Sequence, residues 1–311
     1  MPHAAGDDAK QKAEHLRKDA KQEAKRLMKD ARQEAAEHNV SPWVERLARF
    51  GYATKGAVYI LVGILALGVA TGMGGRTTSP PGAIQIIGSQ RPFGQILLIV
   101  VTIGLAGYAL WRLIQAVADP DREGYDARGI ARRTGHGVAA LGYGGLALTA
   151  ARLALASGGE GGSPQDWTAW LLSWPFGQAL VVGIGTGVVG YGLHQLYQGY
   201  KAEFREYLKL GQMSGMEETW ITRGGRFGLA ARGVVFGIIG VFLIQAALRF
   251  NPSEAQGLGG ALQELLRQPF GPWLLGIVAL GLVAYGVLML ALAYYRQVAS
   301  GRVSRDSFYR E

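Results

Sequence analysis

Six apolar stretches dominate this chain, and none of them contains an aspartate or a glutamate. The first runs from about Gly56 to Thr71, with its helix reaching back to Tyr52 or Ala53. The others cover approximately Gln95 to Ala116, His136 to Leu155, Phe176 to Gln198, Leu229 to Leu248 and Gly271 to Tyr294. A hydrocarbon layer of roughly 30 Å is crossed by about 20 helical residues. No water reaches that layer, so each backbone amide must be paired within its own helix or a closed barrel. Six such runs separated by polar hairpins leave too little polar surface to cover a soluble core. The expected fold is all-α, a polytopic membrane protein with six transmembrane helices.

The charges agree. Only 18% of the 311 residues are charged, against about a quarter in an average soluble domain. Of the 32 Lys and Arg, 12 lie in the first 55 residues. Loop 118–135 carries Arg122, Arg128, Arg132 and Arg133, and loop 199–229 carries Lys201, Arg205, Lys209, Arg223 and Arg226. The tail adds Arg296, Arg302, Arg305 and Arg310, while the alternate loops are poor in basic residues. Basic loops face the cytoplasm, so both termini are expected there. The net charge of +9 thereby reads as membrane orientation and not as nucleic-acid binding. The N-terminus lacks the short apolar core of a cleaved signal peptide, and the first span is expected to act as an uncleaved anchor. With no cysteine in the chain, disulfides and thiolate chemistry are excluded.

The chain also repeats itself. R-F-G-Y-A-T-K-G-A-V-Y at Arg49 to Tyr59 returns 177 residues later as R-F-G-L-A-A-R-G-V-V-F at Arg226 to Phe236. The same offset places Pro92-Phe93-Gly94 on Pro269-Phe270-Gly271 and Tyr108 on Tyr285. A weaker middle copy aligns Gly137 and Gly144 with Gly56 and Gly63, Pro175-Phe176-Gly177 with the first P-F-G, and Tyr191 with Tyr108. Each copy holds two apolar runs, so the expected organisation is three tandem two-helix repeats over 45–117, 128–200 and 222–299. A charged cytoplasmic helix over 1–40 precedes them and a cytoplasmic tail over 300–311 follows. Within each copy a short stretch (Ala83 to Ile87, Trp167 to Leu172, Leu258 to Leu266) comes before P-F-G. These read as interfacial helices on the outer face, with the proline starting each return span and aromatic rings at headgroup depth.

Residues 8–40 carry an eleven-residue repeat starting at Asp8, Asp19 and Asp30, with strong helix formers and a stripe made mostly of alanine. Three readings stand: a solvated helix, a helix lying on lipid headgroups, or a helix that binds a protein partner or a second copy. Ser41 and Pro42 then cap a short basic helix through Arg49.

Polar residues inside the spans are few, and two sets stand out. Tyr108, Tyr191 and Tyr285 occupy equivalent places after their P-F-G glycines. They are either packing tyrosines or a ring lining a substrate path, with His194 and Gln195 beside Tyr191 as further lining candidates. Lys55, His136 and Arg232 stand near the cytoplasmic ends of the odd spans. They either anchor anionic headgroups by snorkelling or form a gate or anion site. Arg112 and Arg152 are either buried or reach an interface. Gly183-x-x-x-Gly187 and Gly233-x-x-x-Gly237 are small-residue patterns that let helices approach. No nucleotide loop, nucleophile motif or metal-ligand spacing is present, so no cofactor, no metal and no catalytic residue is expected.

The repeated unit at Arg49 to Tyr59 and Arg226 to Phe236, with R-P-F-G, W-P-F-G and Q-P-F-G ending at Gly94, Gly177 and Gly271, resembles a family of bacterial membrane proteins built from three tandem two-helix units, domain of unknown function 1206. The resemblance covers about residues 45 to 299 and implies a multi-pass protein of the bacterial plasma (inner) membrane. It brings no substrate or catalytic residues. The middle copy departs, with Arg133-Thr134-Gly135-His136-Gly137 in place of G-Y-x-x-K-G. The expected role is non-enzymatic: structural, lipid-associated or partner-binding, with anionic headgroups at the cytoplasmic face as partners. The alternative is a channel or carrier for a small solute or ion.

Overall fold

The computed structural model describes residues 42–74, 77–90, 93–120, 124, 126–155, 163–208 and 210–295. The charged segment 8–40, Ser41 and the tail 300–311 lie outside the described residues. The helices are α1 (Pro42–Ala70), α2 (Pro80–Ser89), α3 (Gly94–Ala118), α4 (Ala127–Ala154), α5 (Pro164–Leu172), α6 (Gly177–Lys201), α7 (Gly215–Leu248), α8 (Leu258–Arg267) and α9 (Gly271–Tyr295). Six of them, α1, α3, α4, α6, α7 and α9, are long and apolar enough to cross a membrane. A short helix follows α1, α4 and α7.

Three spans, α1, α4 and α7, begin well before their apolar runs. α1 continues unbroken from Pro42, so the expected basic helix and the first span are one element. α7 starts at Gly215, where Ser214 Oγ accepts from the Glu217 amide and the Glu217 carboxylate accepts from the Ser214 amide. That reciprocal box satisfies two of the unpaired amides at the helix start. Asp126 caps α4 by accepting from the Gly129 amide at 3.0 Å.

The P-F-G turn differs from expectation. Proline does not start the return helix; the glycine does, and Pro175 and Pro269 sit in the preceding turn. The Gly177 amide donates to the Trp174 carbonyl at 2.9 Å and the Gly271 amide to the Gln268 carbonyl at 2.8 Å. Phe176 and Phe270 occupy the third turn position at φ 64° and 60°. This is the type II arrangement, with proline second and left-handed backbone third. Glycine follows because a Cβ there would run into the carbonyl of Leu171 or Leu266.

Among the described residues, five interfaces join the six spans into an open ring. α1 lies on α3, where a Cβ at Gly51 would stand 2.6 Å from the Tyr108 amide nitrogen and 2.7 Å from its Cα. The repeat-equivalent contact joins α7 to α9, where a Cβ at Gly228 would stand 2.7 Å from the Tyr285 Cα. α1 meets α9 through Gly56 and Gly286, each of whose Cβ positions lies 2.7 Å from the other's carbonyl oxygen. α6 meets α7 the same way through Gly192 and Gly233. α3 packs along α4, and Gln95 Nε2 donates to the Ala154 carbonyl at 2.9 Å. Its counterpart Gln178 donates to Ala247 at 3.2 Å, joining α6 to α7. The ring order is therefore α4, α3, α1, α9, α7, α6.

Among the described residues, no close approach joins α4 to α6, the two spans of the middle copy, and they are the least buried of the six. Counting back from Gly137, which matches Gly56, the position of Gly51 is taken by Arg132. A long side chain stands where the other copies need none. Gly183 and Gly187 on α6 and Gly142 on α4 have nothing within 4 Å of a Cβ position, and neither does Gly237. The expected approach of helices at the Gly183 and Gly187 pair is thus corrected: the close glycines are Gly56, Gly185, Gly192, Gly233, Gly240 and Gly286.

The half of the ring near the short helices is packed. Ile84 of α2 joins Leu98 and Leu105 of α3 and Ala147, Ala150 and Ala154 of α4 in an apolar cluster. α8 buries Leu258, Ala261, Leu262 and Leu265, the spacing of one helical face.

Candidate functional site

The other half of the ring holds a cavity of about 690 Å³, and it draws lining residues from all six spans. α1 supplies Tyr52 and Lys55, α3 Tyr108, Arg112 and Gln115, and α4 Arg132, His136 and Tyr143. α6 adds Tyr191, His194 and Gln195, α7 Arg232, and α9 Tyr285. The 3₁₀ turn Glu203–Tyr207 adds Glu203, Phe204 and Tyr207 to the lining, with Phe204 packed at Gly225. All eight candidate residues named from the sequence, Lys55, Tyr108, His136, Tyr191, His194, Gln195, Arg232 and Tyr285, line this one cavity.

Helical spacing makes the site. Tyr52, Lys55 and Tyr59 fall three and four residues apart on α1, which puts them on one face; Tyr108, Arg112 and Gln115 do the same on α3. Lys55 is 3% exposed, and its Nζ donates to the Tyr108 hydroxyl at 2.8 Å. The ammonium also lies 4.6 Å from the Tyr108 ring centroid, 4.9 Å from Tyr143 and 5.4 Å from Tyr285. Arg112 Nε donates to the same Tyr108 hydroxyl at 2.8 Å. Its NH1 donates to Gln115 Oε1 at 3.2 Å and lies 2.8 Å from His136 Nδ1. A guanidinium has no acceptor, so that imidazole nitrogen must accept.

Arg232, the repeat equivalent of Lys55, is 6% exposed. Its NH1 donates to the Tyr191 hydroxyl at 3.3 Å, and its Cζ stands 4.7 Å from the Tyr285 ring and 4.8 Å from Phe236. Its Nε is buried without a partner, as is the Gln195 side-chain nitrogen. Tyr108 and Tyr285 are buried, whereas Tyr191 is 40% exposed at the edge of the missing interface. The three tyrosines therefore share a cavity without forming an equivalent ring.

The electrostatics are one-sided. No carboxylate among the described residues pairs with Lys55, Arg112 or Arg232, and Glu203 on the rim is the one acidic residue in the lining. Aromatic faces attract each cation by about 0.5–2 kcal/mol, which falls short of several kcal/mol for desolvating a charge. The Tyr108 hydroxyl accepts from two cations, so its own proton is left as another donor. The acceptors that meet the basic groups are the neutral Tyr108 and Tyr191 hydroxyls, Gln115 Oε1 and His136 Nδ1. Among the described residues no group of His, Asp or Glu converges as a metal site.

Arg112, left open between burial and an interface position, is drawn to the Tyr108 hydroxyl and His136. The signal was its position four residues after Tyr108. Tyr52 and Tyr59 were missed, although they flank Lys55 on one helical face. Replacing Tyr108 by phenylalanine is expected to lower stability by about 2–4 kcal/mol, since two charge-assisted hydrogen bonds end on its hydroxyl. Thermal unfolding of the purified variant measures this.

Six apolar helices around a polar cavity define a polytopic all-α membrane protein. The chain belongs to the family described as Domain of Unknown Function (DUF1206), which matches residues 50–119, 134–202 and 227–296, three segments that each overlap two of the six spans. It is similar to the "Uncharacterized protein YxxB" of Bacillus subtilis (strain 168), 36% identical over 262 residues, covering 84% of this chain and 94% of that protein. No solved structure matches the chain.

Proposed function

We propose that this protein is a non-enzymatic membrane protein that holds an anionic group in the cavity between its six spans. The observation that carries the reading is the convergence of Lys55, Arg112 and Arg232 without a carboxylate partner. An anion placed among them would offset their mutual repulsion and supply the acceptors that Arg232 Nε and Gln195 lack. Loop charge puts the cavity in the cytoplasmic half, with both termini inside. On this reading α2, α5 and α8 lie at the outer interface, where the exposed Trp167, Trp170 and Trp174 suit headgroup depth. The segment 8–40 remains a candidate for lipid or partner contact. The apolar packing around Ile84, Leu98 and Leu105 favours binding over conduction, the alternative role.

The test is thermal unfolding of the purified protein in a neutral detergent, titrated with inorganic phosphate. A ligand at about 100 times its Kd adds about 2.7 kcal/mol of stability. The expected result is a saturable rise in Tm over chloride at equal ionic strength. A phosphate titration indistinguishable from the chloride control would overturn the reading.

A further inference from the structure

We propose that the missing interface between α4 and α6 is a lateral opening to the bilayer, through which the headgroup of an anionic phospholipid reaches the cavity while its acyl chains stay in the gap. The proposal rests on the anion-binding reading above and names the ligand's chemistry and its route.

Four observations converge on the gap. Ring closure through a glycine against tyrosine backbone occurs at Gly51 with Tyr108 and at Gly228 with Tyr285, and is absent where Arg132 takes the glycine's place. Glycines line both sides with nothing within 4 Å of a Cβ position: Gly135, Gly142 and Gly145 on α4, Gly183, Gly187 and Gly190 on α6. Low walls of this kind leave room for a flexible chain. Apolar side chains stay exposed on the same two helices, with Leu141 of α4 and Leu193 of α6 among them. Hydrocarbon therefore suits the gap outside the cavity and polar donors suit the space within.

The fourth observation concerns what waits at the inner end. Tyr191 stands exposed at the edge of the gap and its hydroxyl accepts from the buried Arg232. Arg232 Nε and the Gln195 nitrogen, both more than nine-tenths buried and without a partner, line the cavity behind it. A phosphodiester brings two oxygens sharing one negative charge to such donors, and guanidinium groups bind phosphate through paired hydrogen bonds. A volume of about 690 Å³ is in the range of small-molecule sites and has room for a phosphate with its glycerol. Glu203, Phe204 and Tyr207 of the 203–207 turn contribute to the cavity wall, whereas α4 and α6 are the least buried of the spans around it. An amphiphile held at its anionic end fits both the charge and the path.

Full-length protein in nanodiscs would be photolabelled with phosphatidylglycerol bearing a diazirine near the acyl terminus, in parallel with the phosphatidylcholine equivalent, and adducts mapped by mass spectrometry. The expected adducts fall within 135–145 and 183–195, with about a tenfold preference for the anionic lipid, the size of effect that loss of a charge-assisted contact gives. Arg232→Gln is expected to remove the preference. Labelling spread evenly over the outward residues Ile64 of α1 and Ile277 and Leu280 of α9, or equal labelling by the two lipids, would overturn the proposal. The phosphate titration separates the two readings. Stabilisation by phosphate with no anionic-lipid preference rejects the lateral route and leaves the anion site standing. Failure of both rejects both.

Discussion

Arg232→Gln is expected to abolish the response of Tm to phosphate while leaving the unliganded protein as stable as before or slightly more so. The guanidinium is 6% exposed, has no carboxylate partner among the described residues, and keeps a buried Nε unpaired. A buried charge of this kind weakens the empty protein, and its removal relieves a desolvation penalty of several kcal/mol. The same change costs the bound state its charge-assisted hydrogen bonds, about 1.5–3 kcal/mol each or roughly ten- to a hundredfold in affinity. Glutamine retains a donor toward the Tyr191 hydroxyl, so local packing is only modestly altered. A residue that merely braces the bundle would behave differently, with stability falling and the phosphate response kept. Arg232→Lys separates charge from geometry, because lysine occupies the equivalent place at Lys55. It is expected to recover part of the response and lose the bidentate component.

Gly51→Ala and Gly228→Ala are expected to destabilise the bundle by about 2–3 kcal/mol each, the upper range for overpacking. At Gly51 the added methyl would meet the amide nitrogen, Cα and Cβ of Tyr108 at 2.6, 2.7 and 2.8 Å. Backbone cannot swing aside as a side chain can, so α1 and α3 must separate. Separation would also stretch the 2.8 Å bond from Lys55 to Tyr108, coupling the packing defect to the site. Gly142→Ala and Gly187→Ala are the controls. Nothing lies within 4 Å of either Cβ position, and alanine gains up to about 1 kcal/mol of helix propensity over glycine. These two should leave Tm unchanged or raise it, and a loss comparable to that of Gly51→Ala would remove the distinction between the two classes of glycine.

Much of the architecture was legible because hydrophobic length is a direct physical requirement of the bilayer, and the repeat names equivalent positions without further calculation. The six spans and the short helices before each P-F-G lie where the apolar runs put them. The candidate site was legible for a similar reason: a basic or polar side chain in such a run is costly, and Lys55, His136, Arg232 and Tyr108 all line one cavity. What escaped depended on neighbours in space. The Gly183 and Gly187 pair has the right spacing for close approach but no facing helix. Tyr191 matches Tyr108 in sequence yet is exposed, since its partner helix is absent. The P-F-G turn misled because proline suits both the second turn position and a first helical turn. Only the hydrogen bonds at Gly177 and Gly271 tell the two apart.

The gap between α4 and α6 divides the chain in a way the repeats do not. The spans α1, α3 and α4 are consecutive, and so are α6, α7 and α9. The middle copy contributes one helix to each triplet, so the unit of duplication and the unit of packing are out of phase by one helix. Among the spans, the triplets meet along α1 and α9, where Gly56 and Gly286 bring the two backbones together. Three tandem sequence repeats thus pack as a two-part clasp, with its spine at the α1–α9 glycines and its mouth on the opposite side.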